Sequence, residues 1–96
     1  MSSAAPMMRN MVASKVQTMC FSVFAHAEPA ILPKLCQPVA KRGLMISRLH
    51  AVVDDETQEL QMDFQVKGID QKLAQQMAQA MRQFPDVTCV LVSEKG

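Results

Sequence analysis

The sequence predicts a single α+β domain in which two helices cover one face of a four-stranded antiparallel β-sheet. Four segments have the composition or the alternation of β-strands, and two have apolar residues at helical spacing, in the order βαββαβ. The chain has 96 residues, 49% of them hydrophobic, which suits one core rather than two. A domain of this size buries only a modest share of its surface, so association with another subunit would stabilise it.

The first strand is predicted at Val16–Ala25, a segment rich in β-formers. Alternate residues from Met19 to Val23 are apolar and would form its buried face. The opposite face would present small, mildly polar side chains: Thr18, Cys20 and Ser22. A loop that contains Pro29 follows this strand.

The first helix is predicted from Ala30 to Arg42. Its apolar residues recur at helical spacing, at Ile31, Leu32, Leu35 and Val39. Pro33 is tolerated in a first turn, whereas Pro38 lacks the N–H that would reach the Lys34 carbonyl, so a kink or an early break is expected there. Gly43 supplies the left-handed residue that often follows a helix end.

The second and third strands are predicted at Leu44–Val53 and Leu60–Lys67, joined by the polar connection DDETQE. Ile46 and Leu49 are three residues apart, which allows a bulge in the second strand. The third strand has the clearest alternation in the chain, with one apolar face and one wet face. Its polar face carries Gln61, Asp63, Gln65 and Lys67. Gly68 is expected to end it.

The second helix is predicted from Gln71 to Phe84, with Asp70 as its N-cap. Apolar side chains step along one helical face at Leu73, Met77, Met81 and Phe84. Pro85 ends the helix, because the residue before a proline avoids helical geometry. The last strand is predicted at Asp86–Val92.

With right-handed crossovers, this order of elements is the ferredoxin-like sandwich. Both helices then lie on one face of the sheet, and no helix is left for the other. The uncovered face would carry the polar residues of the two central strands and must meet water or a partner: Thr18, Cys20, Ser22, Asp63 and Gln65.

Composition argues against several classes of partner. Ten basic and nine acidic residues are scattered along the chain, giving a net charge of +1 and no basic stripe for phosphates. The sequence has no Tyr or Trp, and Asp63 would repel phosphate from the uncovered face, so nucleic-acid binding is not expected. No apolar run approaches the roughly 18 residues of a membrane span, so no membrane association is expected either.

The chain is predicted to divide into a flexible N-terminal tail at residues 1–15, a domain at 16–93 and a short C-terminal tail at 94–96. Three cysteines, odd in number and without C-x-x-C spacing, argue against a disulfide framework. Free thiols in a reducing cytoplasm are therefore expected.

Neither catalytic residues nor a metal site are predicted. His50 and Asp54 would form an i, i+4 ligand pair only on a helix, and the pattern there is that of a strand. The DDE run at 54–56 is expected to be a solvated hairpin connection, because it lacks the ligand spacing of a calcium loop. Cys20 and Cys89 have no basic neighbours and are expected to be buried, inert thiols. Met77 and Met81 are expected in the core.

The segment AEPAILPKLCQPVAKRGLMISRLHA, followed by a hairpin, a strand, a helix and FPDVTCVLV, resembles an ACT domain. It is most similar to the small regulatory subunits of acetolactate synthase, in their short form with a single ACT unit. These have an Asn-Glu-x-Gly-x-Leu loop, matched here by Glu28 and Leu32, and an Arg-Gly-aromatic-Asn-Ile turn, matched by Arg42, Gly43 and Ile46. The resemblance covers about residues 18–92.

The resemblance implies a homodimer joined through the second strands, with an amino-acid effector between the first loop of one chain and the start of the second strand of its neighbour. Carried over by position, the site comprises Ala27, Glu28, Pro29, Ala30, Ile31 and Leu32 from one chain and Met45, Ile46 and Ser47 from the other.

Three positions depart from the family pattern. The loop Asn and Gly fall at Ala27 and Ala30, and the second Asn falls at Met45. Two amides that would hold a polar ligand are thus replaced by apolar side chains, which costs several kcal/mol if the ligand must still be desolvated. Weak or absent valine feedback is expected, although the backbone N–H groups of Ala30 and Ile31 remain.

The resemblance therefore implies a non-catalytic regulatory subunit in the biosynthesis of valine, leucine and isoleucine. Such a subunit activates an acetolactate synthase catalytic subunit, and thiamine diphosphate, Mg and FAD are expected on that partner only. One alternative is a free-standing ACT amino-acid sensor that serves another enzyme or a transcriptional regulator. A second is a small enzyme or metal carrier, since a fold hosts many functions.

Overall fold

The computed structural model describes residues 16–95. In chain order its elements are β1 Gln17–His26, α1 Ile31–Ala40, β2 Ile46–Asp54, β3 Glu59–Ile69, α2 Gln71–Arg82 and β4 Val87–Glu94. The predicted βαββαβ order and the four-stranded antiparallel sheet are confirmed. The predicted N-terminal tail, residues 1–15, lies outside the described residues.

The sheet has the strand order β2-β3-β1-β4, and each pair of neighbours is antiparallel. The two central strands are therefore β1 and β3, and in their register Phe21 lies opposite Phe64 and Ser22 opposite Asp63. Each edge strand has one neighbour within the chain, so its outer row of backbone groups is open to another strand.

The core lies between the helices and the central strands, as the alternation predicts. The rings of Phe21 and Phe64 stack with centroids 4.8 Å apart and planes 5° from parallel. Burying a side chain of this kind contributes about 1.5–3 kcal/mol. The fully buried large side chains are Phe21, Phe64, Met19, Leu35, Leu60, Met62, Met77, Met81, Val23, Val39 and Val66.

The α1 helix continues past Pro38, so the predicted early break does not occur. Pro38 is buried and only two residues from the end at Ala40, so the missing N–H disturbs the last turn alone. The carbonyl of Pro38 accepts a hydrogen bond from Arg42 Nη1 at 2.7 Å. Gly43, at φ +70°, closes the helix as predicted, and the Leu44 N–H reaches the Val39 carbonyl at 3.2 Å in a Schellman motif.

The prediction that Gly68 ends the third strand is wrong, because β3 continues to Ile69. Between the pairs Gln17–Ile69 and Met19–Val66, β3 has one residue more than β1. Gly68 lies within this bulge at φ +76°, which a glycine adopts without a Cβ clash. A register shift also occurs between Ile46 and Arg48 in β2, so the bulge that the spacing allowed there is present.

The α2 helix begins as predicted, with Asp70 Oδ1 accepting a hydrogen bond from the Leu73 N–H at 2.8 Å. Met77 and Met81 are buried in the core, which confirms that prediction. The helix ends at Arg82, two residues before the predicted end at Phe84. Arg82 Nη2 then donates to the Val90 carbonyl at 2.7 Å, which ties this end of the helix to β4.

The sheet face without helices is uncovered, as predicted, and its central polar residues are half-buried. The expectation of buried thiols is wrong for Cys89, which is exposed, while Cys20 is only partly buried. Both side chains lie on this uncovered face. Cys89 is also on an edge strand, so no helix covers its face and no further strand pairs along its outer side. The last strand runs to Glu94, two residues beyond the predicted end.

Asp70→Ala removes the N-cap acceptor of α2 and should lower the free energy of unfolding by about 1 kcal/mol, because a first-turn N–H loses its partner. Urea unfolding followed by circular dichroism measures the change. Asp55→Ala, in the exposed hairpin, removes the same charge without removing a helix cap and is the control. Equal effects of the two substitutions would contradict the capping role.

Candidate functional site

A cleft of about 390 Å³ opens where the first loop meets the β2–β3 hairpin. Most of its surface is apolar. The residues that line it are Ala27, Glu28, Pro29, Ile31, Leu32, Val53, Gln58 and Leu60. Five of the six predicted loop residues, all except Ala30, therefore border one cavity.

Backbone hydrogen bonds hold the loop against the hairpin. The Ala27 N–H donates to the Gln58 carbonyl at 2.8 Å, and the His26 N–H donates to the Asp86 carbonyl at 2.8 Å. Gln58 has φ +59°, a left-handed conformation that is unusual for a residue with a side chain. The wall of the cleft thus depends on the turn that Gln58 makes.

The Ile31 N–H is already engaged, since it donates to the Glu28 carbonyl at 3.0 Å. The sequence leaves the N–H groups of Ala30 and Ile31 as backbone donors for an effector. The Ile31 N–H is instead used within the loop itself. Ala30 is the N-cap of α1 and provides no side-chain cap to the helix.

Glu28 brings a carboxylate to the cleft. Its Oε1 is buried and accepts no hydrogen bond from the described residues. Lys34 Nζ lies 3.7 Å from this oxygen, which is an ion pair but is too long for a hydrogen bond. The carboxylate therefore keeps an unused acceptor beside apolar walls.

The other three predicted residues, Met45, Ile46 and Ser47, lie at the opposite end of the sheet. Ile46 pairs with Val66 at the start of β2, whereas the cleft is at the far end of that strand. Ser47 Oγ donates to the Gln65 carbonyl at 3.2 Å. Within one chain, the two halves of the predicted site do not meet.

Sequence reasoning missed Val53, Gln58 and Leu60, which form the hairpin side of the cleft. The signal was present in the topology. In an antiparallel sheet with this order, the β2–β3 hairpin lies at the same end as the loop that follows β1. Residues that flank the hairpin are thus neighbours of the first loop.

The uncovered sheet face holds a smaller hollow of about 160 Å³ around Asp63. Ser22 Oγ donates to Asp63 Oδ1 at 2.6 Å, and Gln61 Nε2 donates to Oδ2 at 3.2 Å. His50, the cross-strand partner of Asp63, is exposed on β2, as expected of an edge-strand histidine. Both oxygens of the carboxylate are therefore engaged in the sheet.

The hairpin at 54–59 has the expected character of a solvated turn. Asp54 Oδ1 accepts hydrogen bonds from the N–H groups of Glu56 and Thr57, at 2.9 and 3.3 Å. Residues 16–95 contain no group of three or more His, Cys, Asp or Glu side chains placed to hold a metal ion. Within the same range, no helix has the length and apolarity needed to span a membrane.

The fold matches that of solved ACT domains. The ACT domain from GTP pyrophosphokinase of Chlorobium tepidum aligns with a TM-score of 0.70 at 8% identity, over 82% of this chain and 100% of that one. The regulatory subunit of aspartate kinase from Thermus thermophilus gives a TM-score of 0.63 at 20% identity, over 84% of this chain and 53% of that one. The predicted ferredoxin-like fold is thus confirmed, and these ACT domains share it.

The same fold occurs in the C-terminal domain of the MgtC protein from Mycobacterium tuberculosis, with a TM-score of 0.67 at 10% identity, over 88% of this chain and 94% of that one. Neither a protein-family model nor a curated protein matches the sequence. At these identities, the likeness shows the fold alone.

Gln58→Val should lower the free energy of unfolding by about 1–2 kcal/mol, because a β-branched residue tolerates the left-handed region poorly. Gln58→Asn is the matched control, since Asn visits this region readily. Urea unfolding measures the cost, and the amide chemical shift of Ala27 reports the loop contact. A Val variant as stable as the Asn variant, with Ala27 unshifted, would show that the cleft does not depend on this turn.

Proposed function

We propose that this chain is a cytoplasmic, non-catalytic regulatory subunit built on one ACT unit. In this proposal it dimerises through β2 and activates the catalytic subunit of an acetolactate synthase in the biosynthesis of branched-chain amino acids. Thiamine diphosphate, Mg and FAD belong to the catalytic partner. The likeness to ACT domains supports the regulatory class, and the match of Glu28, Leu32, Arg42, Gly43 and Ile46 to the family motifs supports the choice of enzyme.

One observation carries the proposal: the apolar cleft lies beside an open sheet edge that is itself apolar. No residue of β2 is fully buried, and Leu49, Val52 and Val53 are all exposed. A long edge strand with exposed apolar side chains is a template for pairing with another chain. A second copy placed there would cover these side chains and stand next to the cleft.

A two-fold antiparallel pairing of β2 with its copy also suits the charges at the two ends of the strand. The hairpin end is acidic, with Asp54, Asp55, Glu56 and Glu59. The other end is basic, with Lys41, Arg42, Arg48 and Lys67. Antiparallel pairing places the acidic end of each copy beside the basic end of the other, which favours this orientation.

The proposed class of effector is an apolar amino acid, which the apolar lining of the cleft supports. In this proposal an ammonium group takes the place of Lys34 beside the Glu28 carboxylate, and Leu32, Val53 and Leu60 suit an aliphatic side chain. Glu28 already pairs with Lys34, and the Ile31 N–H is engaged. Both facts reduce what the loop offers a ligand, so valine feedback in this proposal is weak or absent.

A second candidate is a free-standing ACT sensor for another enzyme or for a transcriptional regulator. The cleft and the Glu28 carboxylate suit this function equally well, because they need no catalytic subunit. Amino-acid binding to the isolated chain would favour it if binding is tight and the acetolactate synthase is not activated.

The chain, co-purified with the acetolactate synthase catalytic subunit from the same source, should raise the acetolactate formed per catalytic subunit. Added valine should reverse little of this gain, because the site lacks two amides. Assays with and without the chain, each with and without valine, separate these effects. No complex and no activation would contradict the assignment, whereas full reversal by valine would contradict the weak-feedback prediction only.

Leu49→Lys should raise the dissociation constant of the dimer by roughly tenfold or more, because the two lysines would face each other near the middle of the paired strands. Leu91→Lys makes the same change at a similarly exposed position on the other edge strand, β4. Sedimentation equilibrium measures both. Equal weakening by the two variants, or none by Leu49→Lys, would contradict pairing through β2.

A further inference from the structure

We propose that Met45 of the second copy enters the cleft, so that the dimer closes its own candidate effector site with a side chain. This inference rests on the β2 dimer of the proposed function. The occupant of the cleft is then a side chain of the protein itself.

The cleft has the chemistry of a pocket for an apolar side chain. Ile31 and Leu60 form a buried floor, at 3% and 1% exposure. Leu32 and Val53 form walls that remain 39% and 44% exposed in the single chain. Because these walls are apolar yet open, an apolar group between them would remove surface from water on both sides.

Met45 is an exposed apolar side chain that such a pocket would remove from water. At 80% exposure it is the most exposed large hydrophobic residue in the described part of the chain. Its unbranched thioether has three rotatable side-chain bonds beyond Cα and fills irregular apolar spaces well. Within one chain, it lies next to the start of β2, whereas the cleft is at the other end of that strand.

The topology brings Met45 of one copy to the cleft of the other. Met45 directly precedes β2, which runs from Ile46 to Asp54, and Val53 is next to the last residue of that strand. In an antiparallel two-fold pair with its axis at Leu49 or His50, residue 45 lies opposite residues 53–55 of the partner copy. Paired strands are about 4.8 Å apart, which a methionine side chain spans.

The two-fold symmetry closes both clefts of the dimer, because Met45 of each copy enters the cleft of the other. An effector with an aliphatic side chain must then displace Met45 before it binds. The protein therefore holds its site closed when no ligand is bound. This closure is a second reason to expect weak valine feedback, and it does not depend on the lost amides.

The test compares the dimer affinity of the full chain with that of Met45→Ala. Two methionine side chains lose their buried contacts, so the dissociation constant should rise by about a hundredfold. Leu91→Ala, which truncates an exposed apolar residue on β4, should change it by less than about twofold. Sedimentation equilibrium of all three proteins gives these constants.

The contact itself is observed by isotope-filtered NMR on mixed dimers. One copy carries ¹³C-methyl methionine and the other carries ¹³C-methyl leucine and valine. Cross-peaks are expected from the Met45 methyl group to Val53 and Leu32, and the spectrum of the Met45→Ala chain assigns the methionine signal.

A dimer that forms without these cross-peaks, or that is as tight with Met45→Ala as without it, would overturn the inference and leave the β2 dimer standing. A chain that stays monomeric would overturn the inference together with the dimer. The enzyme assay with the catalytic subunit reports on the regulatory function separately, so the three failures are distinguishable.

Discussion

The pairing of β1 with β3 is the interaction on which the rest of the structure depends. Alternate residues of both strands enter the core, and Phe21 stacks on Phe64 at their centre. The buried, apolar face of these strands requires the helices on that side and leaves the other face, with Ser22 and Asp63, uncovered. The chain connections place β2 and β4 at the edges, where each strand has a single neighbour.

The candidate site is a consequence of this arrangement. The loop after β1 and the hairpin after β2 lie at one end of the sheet and enclose an apolar cleft. The strand that borders the cleft is also the one whose side chains the helices do not bury. The proposed effector cleft and the proposed dimer edge therefore share a surface, and a change in one would be expected to bias the other.

The spacing of apolar residues within a segment predicted the features that depend only on that segment. The alternation of Leu60 to Val66, the Asp70 cap and the helical face of Met77 and Met81 are confirmed, because each follows from spacing within one element. The sequence predicts that Gly68 ends the strand, and the structure differs because a bulge depends on the register with β1 and not on β3 alone. Likewise, the contact of the first loop with Gln58 joins residues far apart in sequence, and only the folded sheet order reveals it.

In the proposed dimer, β2 is the interface between two copies of this chain. Hydrogen exchange at the amides of residues 46–54, followed over a wide range of protein concentration, tests it most directly. Pairing predicts that the outward-facing N–H groups of β2 become protected as concentration rises, while those on the outer edge of β4 do not. Concentration-independent exchange along β2, or protection gained along β4 instead, would contradict the account.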